Sequence, residues 1–169
     1  MQIKKLSPEQ IITLNDYPVH NEQVLKIYFH IFKRAPSIIC SVPVIHKSSG
    51  LPFLKGKTRR ATKYNKKLLA FLRTHPSAEY FLLDGTHRTT AAALTHHKIP
   101  VMIFQKDKDI KTAQKWVTEG KLISLTTGKT VNNCLDILQK HFRKTGTFQT
   151  VSEKTRKMIK EHILPKYMI

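Results

Sequence analysis

The sequence predicts an α/β (α+β) fold: a small mixed sheet with packed helices, followed by a helical C-terminal third. Three observations lead there. Apolar runs of strand length alternate with amphipathic helical stretches up to residue 104. Beyond that point the recurring pattern is helical. The chain has 169 residues, 40% of them hydrophobic, which suits one domain, or one domain with a small appendage, around a real core.

The elements follow in order. Ser7-Pro8-Glu9-Gln10 is a helix start, with Ser7 as cap, Pro8 at the first helical position and Gln10 closing a capping box. That helix is short, because Asn15-Asp16-Tyr17-Pro18 reads as a turn. Residues 21–34, NEQVLKIYFHIFKR, put Val24, Ile27, Tyr28 and Ile31 on one helical face, and Pro36 lies beyond the end. Residues 38–45, IICSVPVI, predict a buried strand disturbed by Pro43, and Ser48-Ser49-Gly50-Leu51-Pro52 a turn. Residues 55–73 predict a helix with an apolar stripe of Tyr64, Leu68, Leu69, Phe71 and Leu72 opposite a basic face, ended by His75-Pro76-Ser77. A strand over 80–83 leads into Asp84-Gly85-Thr86-His87-Arg88 and a helix reaching about Thr95. There His96-His97-Lys98 place positive charge at the negative end of the helix dipole. Residues 100–104, PVMIF, form another strand, and 107–119 a helix with Ala113, Trp116 and Val117 inward. Residues 122–127 fit strand or loop, and 131–142 a helix followed by a break at Gly146. Thr150 and Glu153 make a second capping box before a basic helix ending near Ile163.

The formal charge is +19 and the isoelectric point near 10.1, a balance that favours polyanions: nucleic acid, nucleotides or an anionic membrane surface. Two cysteines, Cys40 and Cys134, cannot make a secreted disulfide framework, and their apolar surroundings predict buried thiols. MQIKKLSPEQ lacks the apolar core of a signal peptide, and no run of about 20 apolar residues can span a membrane. The expected compartment is the cytoplasm, with no membrane partner.

The stretch Tyr80–Leu94, YFLLDGTHRTTAAAL, is the leading chemical candidate. A strand that passes through Asp-Gly into a helix gathers backbone N–H groups and the positive dipole end at one point, which suits an anion. Gly85 lets the chain bend and a phosphate approach closely. Thr86 can cap, His87 and Arg88 add donors, and Asp84 can hold Mg²⁺ or accept a proton. Ala91, Ala92 and Ala93 allow close packing of the helix on a sheet.

Residues 80–104, YFLLDGTHRTTAAALTHHKIPVMIF, resemble the core motif of the ParB/sulfiredoxin superfamily, in which a strand enters a Gly-x-x-Arg-x-x-Ala box and a strand beginning Ile-Pro-Val follows the helix. VHNEQVLKIYFHIF is similar to that family's early helix and SVPVI to its Pro-containing strand. The resemblance covers about residues 1–110, implying a nucleotide-binding domain there and a helical extension over 111–169. Superfamily members include CTP- and DNA-binding partition proteins, ATP-dependent sulfiredoxins, free serine kinases using ADP or ATP, and proteins called nucleases. What they share is a nucleotide phosphate held at this box. The variant Asp84-Gly85-Thr86-His87-Arg88 is nearest the box of the free serine kinases. The sulfiredoxin cysteine falls on Thr86, which cannot form a thiosulfinate. The resemblance implies that Asp84 acts at the metal and phosphates and carries a phosphate-binding role cleanly to His87 alone; Gly85, Thr86, Arg88 and Thr89 are expected to complete the phosphate contacts. Either Glu22 or Asp16 supplies a second acid, a choice that spacing leaves open. The expected cofactors are ATP or ADP, or CTP, with Mg²⁺. The expected function is kinase-like phosphoryl transfer or nucleotide hydrolysis, the alternatives being a DNA-binding partition or regulatory protein and a ParB-like nuclease.

A basic insert, residues 52–78, departs from that family. Residues 55–73 hold eight Lys or Arg, and no acid occurs from Gln23 to Ala78. It reads as a substrate lid, an exposed basic helix, or a nucleic-acid surface in which Lys57, Arg59, Arg60, Lys63, Lys66 and Lys67 neutralise phosphates and Tyr64 stacks a base. TTGKT at 126–130 ends like a P-loop, but the first glycine's place holds Ile123. Lys140, Arg143, Lys144, Lys154, Arg156 and Lys157 are expected on a solvated basic surface, with a helix-turn-helix as the alternative.

Overall fold

The computed structural model describes residues 1–15, 21–34 and 40–169. Among the described residues five strands form one mixed sheet: β1 Gln2–Leu6, β2 Ile11–Ile12, β3 Val42–His46, β4 Tyr80–Leu82 and β5 Ile99–Ile103. Their order is β1-β5-β3-β4-β2. β1 runs antiparallel to β5 and β3 antiparallel to β4, while β3/β5 and β2/β4 are parallel. The helices are α1 Glu22–Arg34, α2 Arg59–Thr74, α3 Thr86–Leu94, α4 Asp107–Thr118, α5 Val131–Thr145 and α6 Val151–Lys160. None is long and apolar enough to cross a membrane among the described residues.

Alternation along the strands explains the three layers. Val42, Val44, Val101 and Ile103 turn to one face and pack with residues of α1, α3 and α6. Ile45, Met102 and Phe104 turn to the other face, against Ile110 and Ala113 of α4 and Cys134 of α5. Ile12 and Phe81 meet α2 and α5 there, through Tyr64, Leu68, Leu138 and Phe142. A period of two in side-chain direction is what lets one sheet serve two apolar layers. Cys40 and Cys134 are buried free thiols. The last third contributes to all three clusters, with Val151, Met158, Leu164 and Met168 lying beside α1 and α3.

Several local readings change. β1 went unread because Lys4-Lys5 breaks the apolar run; as an edge strand it keeps both lysines exposed. Gln10 does close onto Ser7, its Oε1 accepting from the Ser7 N–H at 2.9 Å. The helix nevertheless stops after one 3₁₀ turn, because Ile11 and Ile12 leave to pair with Tyr80 and Phe81. α1 buries Leu25, Tyr28, Phe29 and Phe32, and Val24 and Ile31 pack at the edge of the same core, so of the expected face Ile27, 58% exposed, is the residue that points away. Pro43 sits inside the central strand β3, and its carbonyl accepts from Leu83 N–H at 3.0 Å. Residues 122–127 form neither helix nor strand. Lys154, expected on a solvated surface, is buried, its Nζ donating to the Leu14 carbonyl at 2.9 Å. Lys140, Arg143, Lys144, Arg156 and Lys157 are exposed. The turn expected at 15–18 and the first residues of the 38–45 strand lie partly outside the described residues.

Candidate phosphate site at the start of helix α3

β4 ends at Leu82, and three residues later the chain reverses into α3. Gly85 makes that reversal at φ 99°, ψ 38°, in the left-handed region that glycine enters cheaply. It is also crowded: a Cβ there would sit 2.6 Å from Val42 Cγ1 and 2.9 Å from Arg88 Nε. Helices α2, α5 and α6 begin on Thr58, Thr130 and Thr150, whose hydroxyls accept from first-turn N–H groups. α3 begins on a residue with no side chain. The first turn of α3 thus has no side-chain cap at the positive end of its dipole, where an anion is favoured.

Arg88 braces the turn from inside. Its side chain is 2% exposed. Nη1 donates to the Ser41 carbonyl at 2.9 Å, and more distantly to the Ser124 carbonyl at 3.5 Å. Nη2 donates to Asp84 Oδ2 at 3.2 Å. That oxygen also accepts from Thr126 N–H at 3.0 Å. One buried guanidinium thus ties the approach to β3, the box and the 122–130 loop together. Tyr28 of α1 belongs to the same neighbourhood. Burial raises its phenol above the usual range; the Arg88 charge works against that, and Cys40 and Asp84 add to it.

The expected phosphate-contacting residues therefore divide. Asp84 keeps a quarter-exposed side chain, and His87 is half-buried. Thr86 is nearly buried. Thr89 is buried and gives its hydroxyl to the Thr86 carbonyl at 3.1 Å. Arg88 reaches backbone carbonyls and Asp84, and its guanidinium is turned inward because those acceptors surround it. The accessible edge of the box is formed by Asp84 and Gly85; the His87 ring is partly exposed, but its Nε2 is buried.

Of the two candidate second acids, Asp16 lies outside the described residues. Glu22 stands exposed at the start of α1, and with partial desolvation its nearby carboxylate raises the phenol of Tyr167 near the C-terminus. Tyr167 and the residues after it pack beside Leu94 and Thr95, at the far end of α3 from the box. No cluster of three His, Cys, Asp or Glu suited to a metal occurs among the described residues. Asp84 alone can still hold Mg²⁺ when phosphates and water supply the other ligands, the usual arrangement for that ion.

Sequence reasoning missed the 122–130 loop. Its TTGKT segment is no phosphate loop: Thr130 caps α5 by accepting from Asn133 N–H at 3.1 Å, and Thr126 reaches Asp84. A small hollow of about 120 Å³ lies against it, lined by Leu83, Thr126, Thr127, Gly128, Cys134 and Ile137. A larger groove of about 560 Å³ lies at the other end of α3, beside Leu94, His97 and the α6 face of Thr155, Arg156 and Ile159. It is remote from the box and carries none of its chemistry.

The basic insert forms α2 and the loop before it. Lys57, Arg59, Arg60, Lys63, Lys66 and Lys67 are all exposed. Tyr64 is 7% exposed and donates its hydroxyl to the Pro52 carbonyl at 3.0 Å. The expectation that it stacks a base is corrected: the ring is core, and burial drives its phenol well above the ordinary range. No family model, no curated protein and no solved structure matches this chain.

Proposed function

We propose that this chain binds a nucleotide, ATP or ADP with CTP as the alternative, by its phosphates at the start of α3. The observation that carries the proposal is the glycine start of that helix, held left-handed and braced from beneath by the buried Arg88. A phosphate there would be favoured by the positive end of the α3 dipole. His87 flanks it as a donor. Asp84 offers its exposed edge to Mg²⁺, which when bound neutralises charge on the phosphate oxygens. Arg88 acts as a positioning residue: it holds Asp84 and the turn without touching the ligand. The ParB/sulfiredoxin resemblance of residues 80–104 supports the same reading.

Phosphoryl transfer to a hydroxyl, or hydrolysis, is the reaction proposed for such a site. Asp84 would orient the attacking group or accept its proton, and catalysis would rest on positioning and charge neutralisation. The test is calorimetric titration of the protein with ATP, ADP, CTP and GTP, with and without Mg²⁺. Saturable binding of at least one nucleotide is expected, weakened by His87→Ala and stripped of its Mg²⁺ dependence by Asp84→Asn. No binding by any of the four, or binding indifferent to both variants, overturns the proposal.

A further inference from the structure

The second feature is the outward side of α2. Exposed cations fall at positions 59, 60, 63, 66 and 67, so the i, i+3, i+4 and i+7 spacings of Arg59, Lys63 and Lys66, and of Arg60, Lys63 and Lys67, gather them on one side of the helix. Two shallow depressions follow this side. One is bordered by Arg59, Lys63, Lys66 and Lys67. The other is bordered by Arg60, Lys63 and Lys67 together with Arg143 and Gly146 at the end of α5. Lys63 and Lys67 border both, so the two depressions adjoin and together make a shallow basic channel. Lys67 Nζ donates to the Gly146 carbonyl at 3.4 Å, a surface link between α2 and the end of α5. Across the described residues none of these six cations has a carboxylate within 4.0 Å, while acids elsewhere pair with Lys47, Lys115, Lys121 and Lys157. The sequence reading had the α2 cations; the α5 wall of the channel comes from the fold.

We propose that this channel between α2 and the end of α5 holds the phosphate backbone of duplex DNA, without reading its sequence. Charge complementarity names the partner: six cations free of carboxylates match a polyphosphate ridge. Successive cations four residues apart rise about 6 Å along the helix, a spacing that serves neighbouring phosphates. Single strands are disfavoured because the channel has no stacking platform; Tyr64, which underlies it, is buried and bonded to Pro52. A membrane surface is disfavoured because the apolar stripe of α2, Ala61, Tyr64 and Leu68, is already buried in the protein and cannot enter lipid. Duplex RNA is disfavoured because its recognition draws on 2′-hydroxyl contacts, and these side chains are almost all phosphate donors. The proposal is independent of the nucleotide site.

The test measures binding of a random-sequence 20-base-pair DNA duplex by fluorescence anisotropy across a salt series. The variants are Lys63→Ala/Lys67→Ala/Arg143→Ala and a control, Lys5→Ala/Lys108→Ala/Lys111→Ala, which removes the same charge from other exposed positions. Removing three phosphate contacts is expected to flatten the log–log salt dependence by about 2.7, with the control changing it by less than half as much. Lys66→Glu, a single exposed change, is expected to weaken binding without altering the urea midpoint, and covers the case in which the triple variant folds poorly. Equal losses in the control and channel variants would show bulk charge alone and overturn the proposal. So would tighter binding of single strands, duplex RNA or anionic phosphatidylserine vesicles, or strong dependence on DNA sequence.

Discussion

Arg88→Met removes the guanidinium while keeping most of the apolar stem, so the loss reports on hydrogen bonds rather than on a cavity. The 2.9 Å bond to the carbonyl of buried Ser41 is worth about 1–3 kcal/mol when its donor is deleted. The Asp84 pair is partly solvated on the acid's side, with 26% exposure, so its share is discounted to about 1 kcal/mol. The 3.5 Å approach to Ser124 is too long to add much. The sum is about 2–4 kcal/mol. For a chain of this size that lowers the melting temperature by about 4–16 °C. Urea unfolding followed by circular dichroism measures the free energy, and hydrogen exchange at Thr126 reads whether the loop has come away from Asp84. A loss below about 1 kcal/mol, within the range of an ordinary surface change, refutes the brace. So does a full loss with Thr126 protection intact, because the loop would then be held by something else.

Three further outcomes follow from other parts of the molecule. Gly85→Ala is expected to cost clearly more than Gly56→Ala in urea unfolding. The two glycines share nearly the same φ, 99° and 93°, but a Cβ at Gly85 meets Val42 and Arg88, while one at Gly56 meets nothing within 4 Å. Similar costs would mean that only the backbone conformation matters. Tyr64→Phe deletes a buried hydroxyl donated to Pro52 and is expected to lose about 1 kcal/mol of stability, with duplex affinity unchanged; weakened DNA binding in a folded variant would mean that the hydroxyl itself reaches the duplex. Burial raises the Glu153 carboxyl, but hydrogen bonds from Thr150 and the His75 ring outweigh it and hold the group below its ordinary range. Because its folded pKa is the lower one, its contribution is present above the unfolded value of about 4.3 and fades as pH falls through the folded value. Glu153→Gln is expected to flatten stability against pH in that acid window, and an unchanged profile would contradict the assignment.

What was legible in the sequence is what local chemistry decides. Thr150 caps α6, as its spacing to Glu153 indicates, because a hydroxyl and an N–H three residues on are neighbours whatever the rest of the chain does. The α3 turn was legible for the same reason: Asp-Gly after an apolar run, then small residues, is a short-range signal. β1 and β2 were not, because each is defined by a partner more than 60 residues away and neither has a clean alternation of its own. α1 is apolar over a wide arc, and only packing on α3 decides that Leu25, Phe29 and Phe32 are buried while Ile27 is left exposed.

Arg88 shows where the boundary falls. An arginine beside a glycine turn reads as a phosphate ligand, since nothing local says whether a long side chain lies outside or inside. Its spacing did carry a clue: Asp84 and Arg88 are four residues apart, close enough to pair across the first turn. What converts that pair into a buried brace is distant, the carbonyls of Ser41 and Ser124 brought in from 47 and 36 residues away. The consequence for function is specific. If the guanidinium is committed to holding the turn, ligand charge must be met by backbone N–H groups, His87 and the ion at Asp84. Arg88→Lys is then expected to reduce nucleotide affinity only in proportion to the stability it loses. A loss of affinity in a variant of wild-type stability would return Arg88 to the ligand.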